Sequence, residues 1–273
     1  MEGIINIPLI DDVLAVRAVA YRHDTSGYIT NIAGTRLAEG GSAGGYSIPD
    51  AVAAFGGAEL YQDKDDIGNA TYAGGRIAAL WQPTGELNVT LQYITQDSEQ
   101  KGTPFVQLNT GGFTQVDLQF GDALPDEETG QKDDTSITNL VAEYDLGWAT
   151  LSSSSAWLEG ESTQDYNVTV FLGGSPTVQL LSRSVDTFTP ELRLVSQLEG
   201  EVQYILGMYY EDVESKDEVL TYATADPALN LLGTPFGSTN PLLAQGGFGR
   251  PIEQLAFYGE LSYEFTDQLT LTG

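Results

Sequence analysis

The chain has 273 residues, of which 39 are acidic and 11 are basic, so its net charge at neutral pH is near −28. That charge excludes a general nucleic-acid-binding role, because there are too few cations to replace the counterions of a phosphate backbone. The absence of cysteine excludes disulfides, thiolate metal sites and thiol nucleophiles. The single histidine, His23, lies near no Gly-x-Ser-x-Gly motif, and we interpret it as a surface residue at a strand end.

Strand signals dominate the chain, as segments in which apolar and polar residues alternate. In the last long segment, Leu255 and Phe257 share one face, and Gln254 and Tyr258 share the other. In chain order the predicted strands cover 3–10, 13–23, 71–83, 87–96, 136–145, 148–158, 186–198, 202–213, 251–265 and 269–273. One or two turns of helix are predicted at 49–57 and a short extra strand at 113–120, so the fold class is all-β.

The predicted connections alternate strictly between short and long. The short ones are 11–12, 84–86, 145–147, 199–201 and 266–268, and the long ones are 24–70, 97–135, 159–185 and 214–250. Pairing Leu198 with Val202 leaves a three-residue hairpin loop and keeps one apolar face continuous across the corner. The same test pairs Phe265 with Leu269 and Pro83 with Leu87, whereas the register at 145–147 stays open.

Strand length and aromatic placement favour a membrane-spanning sheet. Strands of soluble proteins average about 5–6 residues, whereas a strand of about ten residues tilted at roughly 45° crosses a bilayer. Aromatic residues collect toward the strand ends, as in the interfacial girdles of membrane barrels. The alternative is that each ring packs in an ordinary β core. These aromatic residues are Tyr21, Trp81, Tyr93, Tyr144, Trp148, Trp157, Phe188, Tyr210, Phe257, Tyr263 and Phe265.

Four stretches carry a resemblance to a known family. They are INIPLIDDVLAVRAVAYRHDTSGYITN, GGRIAALWQPTGELNVTLQY, FTPELRLVSQLEGEVQYILGMYYEDVESKD and LAFYGELSYEFTDQLTLTG. In this order they resemble barrel strands of TonB-dependent outer-membrane receptors. The resemblance implies an antiparallel transmembrane β-barrel of about 22 strands, with short periplasmic turns, long extracellular loops and a plug in the lumen.

The resemblance also implies a function and partners. Such receptors lie in the bacterial outer membrane, contact its lipid, and engage the TonB complex through the plug. They take up a scarce small-molecule ligand such as a ferric siderophore, haem, cobalamin or an oligosaccharide. The net negative charge of this chain disfavours electrostatic steering of anionic ferric siderophores toward its loops.

Residues 1–273 are expected to form one partial barrel domain of about ten meandering strands, roughly the second to the eleventh of the barrel. We expect no plug, TonB box, signal peptide or closing strand in this sequence, and no transport by this piece alone. No enzymatic activity and no cofactor are predicted. The segment DKDDIGN, from Asp63 to Asn69, lacks ligands that a calcium loop requires, and no metal site is predicted there.

Candidate ligand-contacting residues fall into two groups. Arg17, Arg76, Arg193, Tyr258 and Glu260 are placed on the lumen side, where such groups bind the plug or line the ligand path; a generic polar wall is the alternative. The same side is predicted to hold Glu191, Gln203, Tyr209, Gln254 and Glu264. Loop aromatics, which stack on ligands or pack among the loops, are Tyr222, Phe236 and Phe248, with Tyr46, Phe55, Phe105 and Phe113.

Two other classes of protein compete with this interpretation. A soluble secreted β-sandwich, such as a carbohydrate-binding or adhesin module, explains the acidity and strand content, but it predicts shorter strands buried against a second sheet. A hydrolase needs a convergent site that the sequence does not display. An uninterrupted apolar band about 25 Å tall on one face separates a membrane barrel from a sandwich.

Overall fold

The computed structural model describes residues 1–43, 46–47, 49, 62–102, 112–116, 130–167, 177–223 and 242–273. Its strands are β1 (Glu2–Ile10), β2 (Leu14–Thr25), β3 (Ile29–Ile32), β4 (Ser42–Ala43), β5 (Tyr46–Ser47), β6 (Asp63–Ile67), β7 (Ala70–Trp81), β8 (Leu87–Lys101), β9 (Thr114–Gln115), β10 (Gly130–Asp145), β11 (Ala149–Asn167), β12 (Thr177–Ser196), β13 (Val202–Ala223), β14 (Leu242–Thr266) and β15 (Leu269–Thr272). One helix, α1 (Ala33–Ala38), lies between β3 and β4. Among these residues no helix is long and apolar enough to cross a bilayer.

Ten strands form a single antiparallel sheet in the order β1-β2-β7-β8-β10-β11-β12-β13-β14-β15. Sheet order follows chain order apart from the small strands inserted in the long connections, so the sheet is a meander. All ten strands predicted from alternation are present.

Two of the three predicted hairpin registers are confirmed, whereas at the third a bulge places Leu269 opposite Thr266 and not opposite Phe265. The β12–β13 ladder continues in the same register as Leu198 opposite Val202, and the β7–β8 ladder in that of Pro83 opposite Leu87. At the corner the sequence left open, the Leu146 amide donates to the Ala149 carbonyl at 2.8 Å. The turn therefore has two residues, and Gly147 takes a positive φ of 81° there.

The strands extend further than the alternation pattern predicts, always at the end where the long connections lie. β12 begins at Thr177, not near 186, β13 continues to Ala223, not 213, and β14 begins at Leu242, not 251. In these extensions polar residues and scattered apolar ones, such as Leu180 and Leu181 of β12, occur on both faces, so the period-two signal disappears while backbone pairing continues. Tyr222 and Phe248, predicted to lie in loops, therefore lie in β13 and β14.

One face of the sheet, here called the apolar face, carries the alternating apolar residues of successive strands. Cross-strand register aligns Leu192 with Met208 and Met208 with Phe257 on this face. Phe257 is 74% exposed and Leu261 is 55% exposed. Among the described residues the two other sheets have three strands and two, and neither is a layer able to bury this face. The burial that a β-sandwich requires is therefore not observed.

Aromatic residues border the apolar face at both ends. Trp157 stacks on Phe188 with ring centroids 5.1 Å apart, at the end near the long connections. Near the short turns, the Tyr263 and Phe265 rings meet edge-on at 4.6 Å. Two to four residues beyond the outer aromatics the same face becomes acidic, for example at Glu159 after Trp157. The corresponding acidic residues on neighbouring strands are Asp97, Asp186, Asp212 and Glu253.

The described parts of two long connections combine into a small three-stranded sheet. β3 pairs antiparallel with β6 and parallel with β9, which comes from the next long connection. Ile29, Ile67 and Val116 are almost fully buried in its core. β9 confirms part of the strand predicted at 113–120, while 117–120 and most of the helix predicted at 49–57 lie outside the described residues.

Candidate lumen-facing site

The face opposite the apolar face, here called the polar face, holds the strand residues predicted to form a site. Alternation and register place Arg17, Arg76, Arg193, Tyr258 and Glu260 on it. Glu191, Gln203, Tyr209, Gln254 and Glu264 lie on the same face. These residues lie on strands from β2 to β14, so they are spread along the polar face and do not form one compact cluster.

The Tyr258 ring lies across the neighbouring strand at a position where that strand has a glycine. Gly207 of β13 is directly opposite Tyr258 of β14, and a Cβ at Gly207 would overlap the tyrosine ring. The ring therefore crosses β13, and its hydroxyl donates a hydrogen bond to the Glu191 carboxylate of β12. The side chain ties three strands together on the polar face.

Tyr21 makes the same arrangement at the other side of the sheet. It lies opposite Gly74 of β7, where an added Cβ would come within 2.7 Å of its hydroxyl. The hydroxyl donates to Gln96 Oε1 of β8 at 2.7 Å. Tyr21 was predicted to be an interfacial aromatic, and this is wrong because it lies on the polar face. The tyrosine–glycine pairs become visible in the sequence once the register is known.

The other charged groups of the β12–β14 polar face have carboxylates beside them. Arg183 forms an ion pair with Asp217, and Arg193 is two residues from Glu191 on β12. The Arg250 guanidinium lies over the Phe248 ring, 4.7 Å from its centroid. Phe248 thus contacts a strand neighbour on the polar face. The Tyr222 side chain is outside what the structure describes, as are Phe236, Phe55 and Phe105.

Asp133, in the part of β10 nearest the long connections, is the centre of a hydrogen-bond network on the polar face. Its carboxylate accepts hydrogen bonds from Ser162 Oγ at 2.6 Å, Ser98 Oγ at 3.1 Å and Gln131 Nε2 at 2.9 Å. Burial acts to raise the pKa of Asp133, but these hydrogen bonds outweigh it and hold that pKa below its ordinary value.

Asp134, its neighbour on the opposite face, has the reverse environment. It lies directly across from Asp97 on β8 and Glu161 on β11. Burial, together with the proximity of Asp97 and Glu161, raises the pKa of Asp134 above its ordinary value. The pKa values of two adjacent aspartates in one strand are therefore shifted in opposite directions.

The acidic segment at Asp63 holds the loop sheet together. Asp63 accepts hydrogen bonds from the Thr35 amide at 3.0 Å and the Thr35 hydroxyl at 2.6 Å, which lower its pKa. Asp65 accepts from the Thr30 hydroxyl at 2.9 Å, and Asp66 accepts from the Gly27 amide at 2.6 Å. In the described part of the chain no group of three or more acidic or histidine residues is arranged to hold a metal ion.

Comparison with solved structures identifies the architecture. The ferric yersiniabactin uptake receptor FyuA from Yersinia pestis matches 99% of this chain and 35% of its own, with a TM-score of 0.69 at 15% identity. The outer membrane transporter YddB from Escherichia coli matches 96% and 31%, with a TM-score of 0.53 at 12% identity. The RagAB peptide importer matches 99% and 30%, with a TM-score of 0.52 at 11% identity. No protein-family model and no curated protein matches the sequence.

The sheet therefore has the fold of part of a transmembrane outer-membrane barrel, and the structures it resembles are those of transporters and receptors. More particularly, this is the barrel fold of TonB-dependent outer-membrane receptors, which confirms the resemblance noted from the sequence. The chain spans about a third of the length of these structures. In this fold the apolar face contacts lipid and the polar face lines the lumen.

Proposed function

We propose that this chain forms part of the barrel wall of a TonB-dependent receptor in the bacterial outer membrane, where the receptor takes up a scarce small-molecule ligand. The term complete receptor is used below for the protein with a whole barrel and plug that this proposal implies. The observation that carries the proposal is the exposed apolar face, which is bordered by aromatic residues at both ends and followed by carboxylates. The order of apolar, aromatic and acidic surface along the strands matches the order of hydrocarbon, membrane interface and water across an outer membrane.

The polar face supports uptake by its chemistry. It carries arginines, tyrosines and amides rather than the packed apolar side chains of a closed small barrel. In the complete receptor these groups face the plug and the ligand path, and the plug engages the TonB complex. Arg17, Arg76, Arg193, Tyr258 and Glu260 are the proposed lumen contacts, and Tyr222, Phe236 and Phe248 the proposed contacts nearer the extracellular end.

A transport assay in the producing bacterium tests this function. The gene containing the sequence is disrupted, and uptake of labelled ferric siderophores, haem, cobalamin and oligosaccharides is measured in intact cells. We expect the disrupted strain to lose uptake of one ligand class, and a protonophore to abolish the same uptake in the parent strain because TonB transmits the proton-motive force.

Two results would contradict the proposal. One is recovery of the protein from the periplasm or medium and not from outer membranes. The other is ligand uptake by the parent strain that persists after the proton-motive force has been collapsed, with no difference between parent and disrupted strain for any of the four classes.

A further inference from the structure

The polar face of β2, β7 and β8 carries no carboxylate, although 39 of the 273 residues are acidic. Its charged or titratable side chains are Arg17, Arg76 and His23, with two tyrosines, Tyr21 and Tyr72. Elsewhere on this face Arg183 and Arg193 have acidic neighbours. Charge is therefore segregated within the polar face, and this three-strand sector has the opposite sign to the whole chain.

Register brings the two arginines together around a small residue. Arg17 is directly opposite Ala78, and Arg76 is two residues from Ala78 on the same strand. Gln92 of β8 lies opposite Ala78 on its other side. Register therefore places Ala78 between Arg17, Arg76 and Gln92 on this face, and this group of positions is called the niche below; Asn6 of β1 lies opposite Arg17. Diagonal neighbours in a sheet are about 7–8 Å apart, within the reach of arginine side chains.

Neither arginine is neutralised by the described residues. The ion pairs of this part of the chain involve Arg22, Arg36 and Arg183, and neither Arg17 nor Arg76 donates a side-chain hydrogen bond to a described residue. Glu2 is the acidic residue of the adjacent β1 polar face, and it lies opposite Tyr21, four positions along β2 from Arg17. The positive field of the niche is therefore uncompensated, although both guanidinium groups are exposed.

We propose that this niche binds an oxyanion, a carboxylate or phosphate group that the Arg17 and Arg76 guanidinium groups hold together. Guanidinium presents paired N–H donors that match the two oxygens of such a group, and Gln92 supplies a neutral donor beside them. The proposal rests on the assignment of this face to the lumen, and it names an anionic ligand class for that lumen. The oxyanion belongs either to a solute passing through the lumen or to an acidic side chain of a protein segment inside the barrel.

Arginine labelling in the complete receptor, purified in detergent, tests the niche. Hydroxyphenylglyoxal modification of Arg17 and Arg76 is followed by mass spectrometry with pyrophosphate, citrate or neutral sucrose present. If a solute is the source, both arginines are modified in the free receptor and are protected by pyrophosphate or citrate but not by sucrose. Arg17→Gln and Arg76→Gln then each weaken binding of the protecting anion by about tenfold or more, as expected for loss of a charge-assisted hydrogen bond.

The second source gives a different pattern. If an acidic side chain fills the niche, both arginines resist modification, and Arg17→Gln and Arg76→Gln lower Tm. Arg22→Gln is the matched control on the opposite face of β2, and it leaves Tm unchanged because its ion pair with Asp24 is exposed.

Either of two results overturns the proposal: arginines that are modified and that no anion protects, or arginines that resist modification while their substitution leaves Tm unchanged. The readout is independent of transport. Uptake of a neutral ligand together with unprotected arginines would refute the oxyanion site and leave the proposed function intact. Protection of the arginines by an anion, in a protein that takes up no ligand, would support the oxyanion site and refute the proposed function.

Discussion

At the scale of single residues, two tyrosines on the polar face depend on glycines directly opposite them. A phenol ring can lie flat across a neighbouring strand where that strand offers no Cβ, and its hydroxyl then reaches the strand beyond. Tyr258 uses Gly207 to reach Glu191, and Tyr21 uses Gly74 to reach Gln96. Each glycine is therefore part of a three-strand contact, although it makes no polar contact through a side chain.

Gly207→Ala tests this role. The new methyl overlaps the Tyr258 ring, which must leave the strand and lose its hydrogen bond to Glu191. We expect the complete receptor to lose about 1–3 kcal/mol of unfolding free energy, measured by denaturant titration in detergent. Gly3→Ala on the apolar face is the control, because nothing lies within 4 Å of its added Cβ. Equal stability of the two variants would contradict the role assigned to Gly207.

Asp133 and Asp134 give a paired prediction about pH. The lowered pKa of Asp133 means that its ionised form stabilises the fold above the unfolded pKa of about 3.9, and that this stabilisation is lost as pH falls through the folded pKa. The raised pKa of Asp134 means that its ionised form destabilises the fold at neutral pH, and that this cost disappears as the pH falls and the group is protonated.

Asp133→Asn should therefore lower stability at pH 7, with a difference that shrinks below about pH 4, and Asp134→Asn should raise stability at pH 7, with a difference that shrinks as the pH falls toward about 4 and is absent below it. The measurement is Tm against pH for the two variants and the unchanged receptor. Shifts of the same sign at pH 7 would show that the opposite faces of β10 do not impose opposite environments.

At the scale of elements, each long strand consists of two parts with different surroundings. On β13 the apolar face carries Leu206, Met208 and Tyr210 and then changes to Asp212 and Glu214, while pairing with β12 and β14 continues past this point. Crossing hydrocarbon takes about ten residues, and β14 has 25. The remaining residues extend the same hairpins into water, where they bring the polar ends of β12 to β14 together.

Arginine at adjacent positions distinguishes the two faces of β13. Leu206 is 53% exposed on the apolar face, so Leu206→Arg places a charge in hydrocarbon and should cost about 2–4 kcal/mol in a bilayer. Ile205→Arg places the same charge on the polar face and should cost much less. Unfolding free energies of the complete receptor in lipid vesicles test this. Similar costs at the two positions would argue that lipid does not contact the apolar face.

At the scale of the whole molecule, the apolar face forms one band across neighbouring strands. Leu91 of β8 aligns with Leu140 of β10, and Leu206 of β13 aligns with Leu194 of β12. The band ends where carboxylates begin on this face. An apolar surface of this extent on a soluble domain would be covered by another layer, and none of the described elements covers it.

Spin labels on single introduced cysteines should map this band, since the chain itself has no cysteine. Labels replacing Leu91, Leu140 and Leu206 in vesicle-bound receptor should collide mainly with dissolved oxygen, which concentrates in hydrocarbon. Labels replacing Asp97 and Glu159 should collide mainly with a water-soluble nickel chelate. Preference for the nickel chelate at all five positions would contradict a lipid-facing band.

The sequence by itself determined the strand set, the alternation of short turns with long connections, and the registers at Leu198–Val202 and Pro83–Leu87. These are local consequences of period-two patterning and turn length, because a one-residue slip would place every apolar side chain on the wrong face. It also placed Arg17, Arg76 and Tyr258 on the polar face for the same reason.

The tertiary structure decided what depends on neighbouring strands. It extended β12, β13 and β14 where apolar and polar residues no longer alternate, because backbone pairing continues without a period-two signal. It assembled β3, β6 and β9 from two separate connections. It also set Tyr258 over Gly207 and Arg17 beside Ala78, because cross-strand neighbours are fixed by register between segments distant in the chain.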